Sequence, residues 1–419
     1  MKKCKKMTIG IIIFLGVMFA MARESQAMPN FARKYGADCR MCHTAVPMLN
    51  RFGYEFRAAG YRDPADIGKE DKGFDLGNFF AARIQEQFDY KKHTEPTTSN
   101  NSTNSQLTFK EFTMYPLTGS WGKYFSSLSE LSVMPGNDFE VENAYVKGVY
   151  PVAKGSWAEG WFQGRIGVMH LWEGFGGADR PLGNLRPLFQ TTAATGSPLV
   201  LWSPDEEGVE GGYYFYKTGT NITGVVWNGL RADGTAAKGG SLTKESTSPT
   251  KNDKDFQMVV NQFVHGDDSV SLFYYHGYVP FPATGTQTKD SYDRLAAYGN
   301  VYLIPDKVNA IGGYEYGHDA LANASLVTGG STVGNSNGFF AGAQYFAIPE
   351  KLALALRYDQ FDPSNKVGHN GMNSITASAN IFFTHGLQLV TDYQHVNTDI
   401  TDGGKKTDDE VQARLIFIW

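Results

Sequence analysis

From Asn78 onward the chain alternates apolar and polar residues with a period of two. Phe80, Ala82, Ile84, Phe88 and Tyr90 are interleaved with Arg83, Gln85, Gln87 and Asp89. Leu352, Leu354, Leu356 and Tyr358 stand against Arg357 and Asp359, and Val411, Ala413, Leu415, Phe417 and Trp419 against Gln412 and Arg414. A period of two puts successive side chains on opposite faces of a strand. Repeated over segments of about ten residues, it describes strands with one face toward lipid and the other toward a lumen.

Sixteen segments carry the pattern: 77–91, 106–117, 122–134, 140–152, 156–172, 208–217, 221–232, 254–265, 269–279, 292–304, 307–318, 336–347, 351–361, 371–384, 386–397 and 408–419. Their connections alternate in length. Segments 91–105, 173–207, 233–253, 319–335 and 398–407 are long and polar, whereas Thr218-Gly219-Thr220, Gly266-Asp267-Asp268, Pro305-Asp306, Pro349-Glu350 and Thr384-His385-Gly386 are tight turns. Short turns at one end, long loops at the other and an even strand count predict an antiparallel outer-membrane β-barrel over 74–419 with periplasmic termini. A soluble sandwich or solenoid would leave the outward aromatic and aliphatic stripe unexplained. Trp419 falls on that stripe.

Composition supports this architecture. Forty-seven glycines, 14% aromatic residues and only 19% charged residues suit many short strands, and no apolar run after the first 22 residues has the length of a membrane helix. The start of the chain reads as a secretory signal over 1–27: Lys2, Lys3, Lys5 and Lys6 precede an apolar core from Ile9 to Ala22, followed by Ser25-Gln26-Ala27 as a small-x-small cleavage site. A membrane anchor is the weaker reading, because that core is short for a spanning helix. The leader carries Lys2, Lys3, Lys5, Lys6 and Arg23 against Glu24, so its removal takes the net charge from −5 to −9. An acidic exported chain does not suit nucleic acid and is open to cations.

Candidate chemistry is concentrated between the leader and the barrel, in 28–73. Cys39, Cys42 and His43 form C-x-x-C-H, and removal of Cys4 with the leader leaves these two cysteines alone. That spacing is the attachment signature of one covalent c-type haem: two thiols add to neighbouring vinyl groups, and the next residue, His43, reaches the iron as proximal ligand. A closed zinc site lacks a second ligand pair, and a thioredoxin-like site lacks its strand–helix unit. Three short helices are expected. Asn30 caps 31–35 with Gly36 as stop, Asp38 caps the turn bearing Cys39 to His43, and Pro47 opens a third helix ending near Gly60. Leu49, Phe52 and Phe56 give that third helix an apolar face, and Phe31, Tyr35, Tyr54 and Tyr61 lie nearby in sequence. This is enough to wall part of a haem and too little for a freestanding core, so the segment needs a container.

The distal ligand stays open among Met28, Met41, the new N-terminal amine and a histidine of the barrel; Met48 lies on the same side of the chain as His43, and each methionine also reads as apolar filler. Arg33, Arg40, Arg51, Arg57 and Arg62 read as solvated charge before propionate partners. In the barrel, His276 and His318 are expected toward the lumen near strand ends. Asp205, Glu206, Glu207 and Glu210 are expected in or beside the longest outer loop as solvated charge, not as an iron site.

FARKYGADCRMCH, followed by Pro47, Leu49, Phe52, Gly53, Phe56, Gly60 and Tyr61 and then some sixteen strands, resembles the fused outer-membrane cytochrome–porins, a family that includes ferrous-iron oxidisers. The resemblance covers the mature chain in architecture and some thirty residues in motif. It implies one haem c in or against the lumen from the periplasmic end, passing electrons between extracellular Fe(II), or another redox donor, and a periplasmic electron-transfer protein. No family iron ligand can be carried over onto this sequence. Two other functions remain: a diffusion porin whose haem segment is a plug or redox gate, and outward transfer to an external acceptor.

Overall fold

The computed structural model describes residues 29–36, 41–70, 76–95, 101–135, 139–152, 154–170, 183–192, 205–229, 254–281, 288–322, 332–349, 351–366, 368–384, 386–400 and 404–419. The expected leader, Cys39, Arg40 and the boundary expected at 73/74 lie outside them.

The N-terminal part contains helix α1 (Pro29–Tyr35), a ribbon of β1 (His43–Ala45) and β2 (Met48–Leu49), and helix α2 (Arg51–Ala58). The barrel follows as β3 (Ala81–Thr94), β4 (Ser102–Tyr115), β5 (Gly119–Trp121), β6 (Phe125–Val133), β7 (Phe139–Val152), β8 (Gly160–His170), β9 (Asp205–Phe215), β10 (Thr220–Trp227), β11 (Asp255–His265), β12 (Asp268–Phe281), β13 (Thr288–Ile304), β14 (Val308–Ala322), β15 (Thr332–Ile348), β16 (Leu352–Asp362), β17 (Met372–Thr384), β18 (Leu387–Asp399) and β19 (Lys405–Ile418). A short helix, α3 (Leu188–Thr191), lies between β8 and β9.

Each strand pairs antiparallel with its sequence neighbours, and β19 closes on β3. β4 and β5 both pair with β6 in nearly continuous register, so they form one strand interrupted around Pro116, whose ring nitrogen has no proton to donate to a ladder. Counted so, the described residues form a closed barrel of sixteen strands, as the alternation predicts. The expected strand limits are short in places: β3 runs on to Thr94, β4 begins at Ser102 and β9 at Asp205. Cross-strand pairing extends these strands into segments whose polarity reads as loop.

The faces follow the alternation. In β16, Leu354, Leu356 and Tyr358 are exposed on the outside, while Arg357 and Asp359 are buried on the lumen side. Ile166, Val209, Leu295 and Ile375 continue the exposed apolar band around the barrel. Connections at 266–267 and 305–307 are short, against 171–204 and 228–254 at the other end. Gly219, Gly266 and Asp306 take positive φ in the tight turns, as hairpin geometry demands. The short-turn end is the periplasmic one, and it receives residues 29–70.

Candidate functional site

α1 docks where the barrel strand is broken. The interruption leaves the Thr118 carbonyl outside the ladder, and Asn30 Nδ2 donates to it at 2.7 Å. Lys34 Nζ reaches the Ser120 carbonyl and hydroxyl at 3.1 and 2.8 Å, and the Arg33 guanidinium donates to the carbonyls of Gly77 and Phe80. Asn30 lies within the first turn and not at the cap position expected of it, because its side chain is used on the barrel. Gly36, at φ 61°, ends the helix as expected.

Of the C-x-x-C-H run, Cys42 and His43 are described. Residues 43–49 form a ribbon where a turn and a helix opening at Pro47 were expected, and α2 begins at Arg51. Asn50 caps it, its Oδ1 accepting from Gly53 N at 2.8 Å. The reason lies in the lumen wall. Tyr302 Oη donates to Thr44 Oγ1 at 2.6 Å, Gln388 Nε2 to the Val46 carbonyl at 3.3 Å, and Asn309 Nδ2 to Met48 Sδ at 3.7 Å. These partners on β13, β14 and β18 favour the extended chain over local helix propensity. Met48 is buried against Tyr302, Phe346 and Ala353, the packing role expected of it.

Cys42 is tied to the start of α2. Its carbonyl accepts from Asn50 N at 3.0 Å, and Asn50 Nδ2 donates to the Met41 carbonyl at 3.2 Å. Gly53 permits the approach: a Cβ there would lie 2.0 Å from the Cys42 carbonyl oxygen. Cys42 is half-buried and outside any disulfide. The neighbouring His43 has its Nδ1 buried without a hydrogen-bonding partner, and desolvation pushes its pKa down to about 4. The imidazole is therefore neutral at physiological pH, the form that binds a metal.

α2 spans the lumen to the opposite wall. Tyr54 Oη accepts from Asn221 Nδ2 at 2.9 Å, and its ring packs edge-on to Phe263. Glu55 takes Tyr214 Oη at 2.8 Å and Arg51 Nε at 2.9 Å; Lys147 Nζ donates to the Arg57 carbonyl at 3.1 Å. Beyond it, Tyr61 bonds Tyr145 Oη, and Arg62 donates to the carbonyls of Gly122, Lys123 and Phe125. Phe31, Tyr35, Phe52, Phe56 and Tyr61, the rings expected around a haem, pack on one another, with Phe31 stacked on Tyr61 at 5.2 Å and edge-on to Phe56 at 5.3 Å. Arg62 is thus buried and not the solvated charge expected, whereas Arg33 is exposed and Arg51 half-buried. All three donate to backbone carbonyls at the barrel end.

The lumen is also filled from the outer side. In the third outer connection, Arg357 donates to the carbonyls of Leu185 and Arg186 at 2.7 and 2.9 Å, Asp392 accepts from Asn184 N at 2.8 Å, and Phe189 packs on Tyr298 and Phe340. The wall around it carries ion pairs out of contact with solvent: Arg165–Glu210 at 2.7 Å, Arg294–Asp319 at 3.0 Å and Arg357–Asp359 at 2.8 Å.

Three expectations for the barrel need correction. Asp205, Glu206 and Glu210 are buried on β9 and are not solvated loop charge: Glu210 pairs with Arg165, and Glu206 accepts from Tyr275 Oη at 3.1 Å. His276 faces outward, since its neighbours Phe273 and Tyr275 hold the lumen side, and its Nδ1 bonds Asp293 at 2.9 Å. His318 is likewise on the outer face, bonded to Asn335 at 2.8 Å while Glu315 and Asp319 point inward. Parity along each strand would have placed both. One cluster that sequence reading missed joins Glu130, Glu142 and His170 on three adjacent strands.

No protein-family model matches the chain, and no curated protein does. Solved structures do. The anion-selective porin from Comamonas acidovorans superposes with a TM-score of 0.53 at 12% identity, covering 81% of this chain and 98% of that one. OprB of Pseudomonas putida, in its high-pH structure, gives 0.52 at 8% identity over 81% and 94%. The outer-membrane channel DcaP of Acinetobacter baumannii gives 0.51 at 10% identity over 81% and 96%. The fold is that of porin-like outer-membrane barrels. Together with the exposed apolar band, stable only against lipid, it puts the chain in a bacterial outer membrane.

Proposed function

We propose that this chain is an outer-membrane electron-transfer protein, carrying one covalent haem c on Cys39 and Cys42 with His43 as proximal ligand, and taking electrons from extracellular Fe(II) to a periplasmic protein acceptor. One observation carries the reading: Cys42 and His43 are fixed inside the barrel, because the residues that follow them bond to Tyr302, Gln388 and Asn309 of the lumen wall. A small soluble cytochrome would bring its own core. Here the wall takes that part.

Haem c supplies one-electron chemistry, with a potential set by axial ligand, burial and hydrogen bonding. The chain's residues supply the rest. The half-buried thiol of Cys42, in no disulfide, and the ring of His43, its Nδ1 buried without a hydrogen-bond partner, fit the demands of attachment and ligation. Asn50 and Gly53 fix the peptide that carries them. Residues 29–36 and 41–68 from one end and 183–192 from the other bond to the lumen wall, and in this reading they insulate the redox centre.

The porin fold supports a second reading, a diffusion channel for which residues 29–70 form a plug or redox gate. Full-length protein in liposomes separates the two. Fe(II) added outside should reduce the haem, seen in its visible absorption, while entrapped small solutes stay inside. If the haem stays oxidised and solutes pass freely, the electron-transfer reading is wrong.

A further inference from the structure

Glu130 on β6, Glu142 on β7 and His170 at the outer end of β8 each bring one ligand atom to within 4.8 Å of the other two, and each is half-buried. We propose that they form a binding site for a divalent first-row transition-metal ion near the outer ends of β7 and β8. The inference goes beyond the haem reading and does not depend on it.

The backbone is irregular where the three meet. Between β6 and β7 the register shifts, so that Glu130 faces Asn143 and Leu131 faces Val141, leaving Glu142 as the extra residue of a bulge. Strict alternation would send Glu142 outward from its buried neighbour Asn143. The bulge instead brings its carboxylate to Ser132, a fully buried lumen residue that bonds it. Re-aiming one side chain is a recurrent use of bulges beside functional sites. On β8, three residues before His170, Gly167 takes φ +136°, and a Cβ there would lie 2.1 Å from the Ala144 carbonyl oxygen. Two adjacent strands thus depart from regular geometry to bring Glu142 and His170 toward Glu130.

The surroundings are those of a supported ligand set. His170 Nδ1 bonds the carboxylate of Asp205, its direct register partner on β9. A carboxylate on one ring nitrogen fixes the tautomer in which the other nitrogen carries the lone pair, the common second partner of a metal-bound histidine. Glu130 is held by Tyr115 Oη and Asn143 Nδ2, each at 2.8 Å, with Arg83 at 3.4 Å. Arg83 also pairs with Glu111. Four carboxylates, Glu111, Glu130, Glu142 and Asp205, therefore surround one guanidinium and one imidazole, an excess of negative charge that a divalent cation offsets. One imidazole and two carboxylates make a mixed nitrogen–oxygen set suited to Mn(II), Fe(II) or Zn(II) more than to Ca(II), which takes oxygen alone.

Mn(II) alone is the probe, titrated into full-length, detergent-purified protein and followed by electron paramagnetic resonance. The expected result is one bound Mn(II) per chain with pulsed-resonance coupling to a histidine nitrogen. His170→Ala should abolish that coupling, and a Glu130→Gln/Glu142→Gln double variant should weaken binding at least tenfold. Asp205→Asn, which keeps all three ligands, should weaken it by about tenfold as well. Heat-dependent gel mobility checks that each variant retains its barrel. If folded wild-type protein binds Mn(II) only weakly and at several places, or if folded variants bind as it does, the site is refuted. Haem reduction plays no part in this readout, so the outcome is separate from the liposome experiment.

Discussion

In the barrel, a residue's place follows from its parity along a strand; in residues 29–70, it follows from which lumen side chain it meets. Leu356 and Arg357 are neighbours in sequence, yet one is exposed on the outer face and the other is buried against 185–186. Arg33 and Arg62 have no such rule behind them. Each is placed by backbone carbonyls presented at 77–80 and 122–125. The barrel is therefore held by a redundant ladder and the plug by a small set of specific bonds. Damage to the barrel should appear as lost stability of the whole, and damage to the plug as loss of a local, separable state.

The largest expected effect tests the lumen wall. Arg165 and Glu210 are an ion pair with both side chains shielded from solvent. Removing one partner of such a pair leaves an uncompensated buried charge, which costs about 3–5 kcal/mol. Arg165→Ala should lower the unfolding free energy of the folded barrel by that amount in urea titrations. A change within about 0.5 kcal/mol, the range of ordinary surface substitutions, would mean that water reaches Glu210 and that the wall is wet. Next in size is the lipid face. Leu356→Arg puts a charge near the middle of β16 on the outside, at a cost of about 2–4 kcal/mol in a bilayer, although an arginine is native at the very next position. Should the variant be as stable as wild type in lipid, the outward assignment of Leu356 fails.

How far each region could be read from sequence follows the same division. All sixteen strands were legible, because burial on one side alone imposes a period of two that survives in the sequence. Strand ends were not legible at Thr94, Ser102 and Asp205, where pairing overrides polar composition. His276 and His318 were expected toward the lumen, although parity alone would have placed them outside, since Tyr275 and Asp319 beside them are lumen residues. In 29–70 the helix stop at Gly36 was legible, as φ 61° suits glycine. The ribbon at 43–49 was not: its reasons are Tyr302, Asn309 and Gln388, some 250 to 350 residues further along the chain. The Glu130–Glu142–His170 cluster was hidden by the bulge, which breaks the parity that would otherwise point to it.

Within the plug, Gly53 is the position most sensitive to a single atom. Its backbone lies against Cys42, and a Cβ would sit 2.0 Å from the carbonyl oxygen, a contact only backbone movement can relieve. Overpacking of this kind costs about 1–3 kcal/mol. Gly53→Ala should shift residues 29–70 toward an undocked state, measured as faster protease cleavage there. Barrel melting should be unchanged; a matching loss of barrel stability would show that plug and barrel unfold as one unit.

Asn50 offers the finest version of the same comparison. It joins the two halves of the plug, since Oδ1 caps α2 through Gly53 N while Nδ2 and the backbone N hold Met41 and Cys42. Asn50→Ala removes both side-chain bonds and keeps the backbone one. Loss of an N-cap costs about 1 kcal/mol, roughly a fivefold change in a local opening equilibrium. Asn50→Asp restores the cap, since a carboxylate also accepts from Gly53 N, but cannot donate to Met41. Hydrogen exchange at the first amides of α2 reads the cap, and exchange around Cys42 reads the tether. If alanine speeds both regions and aspartate rescues only the helix, the two bonds act separately, and the motif's peptide is held in place by the Nδ2 bond. Equal rescue of both regions would mean that the cap alone orders Cys42, and that the loop around the motif follows the helix rather than the side chain joining them.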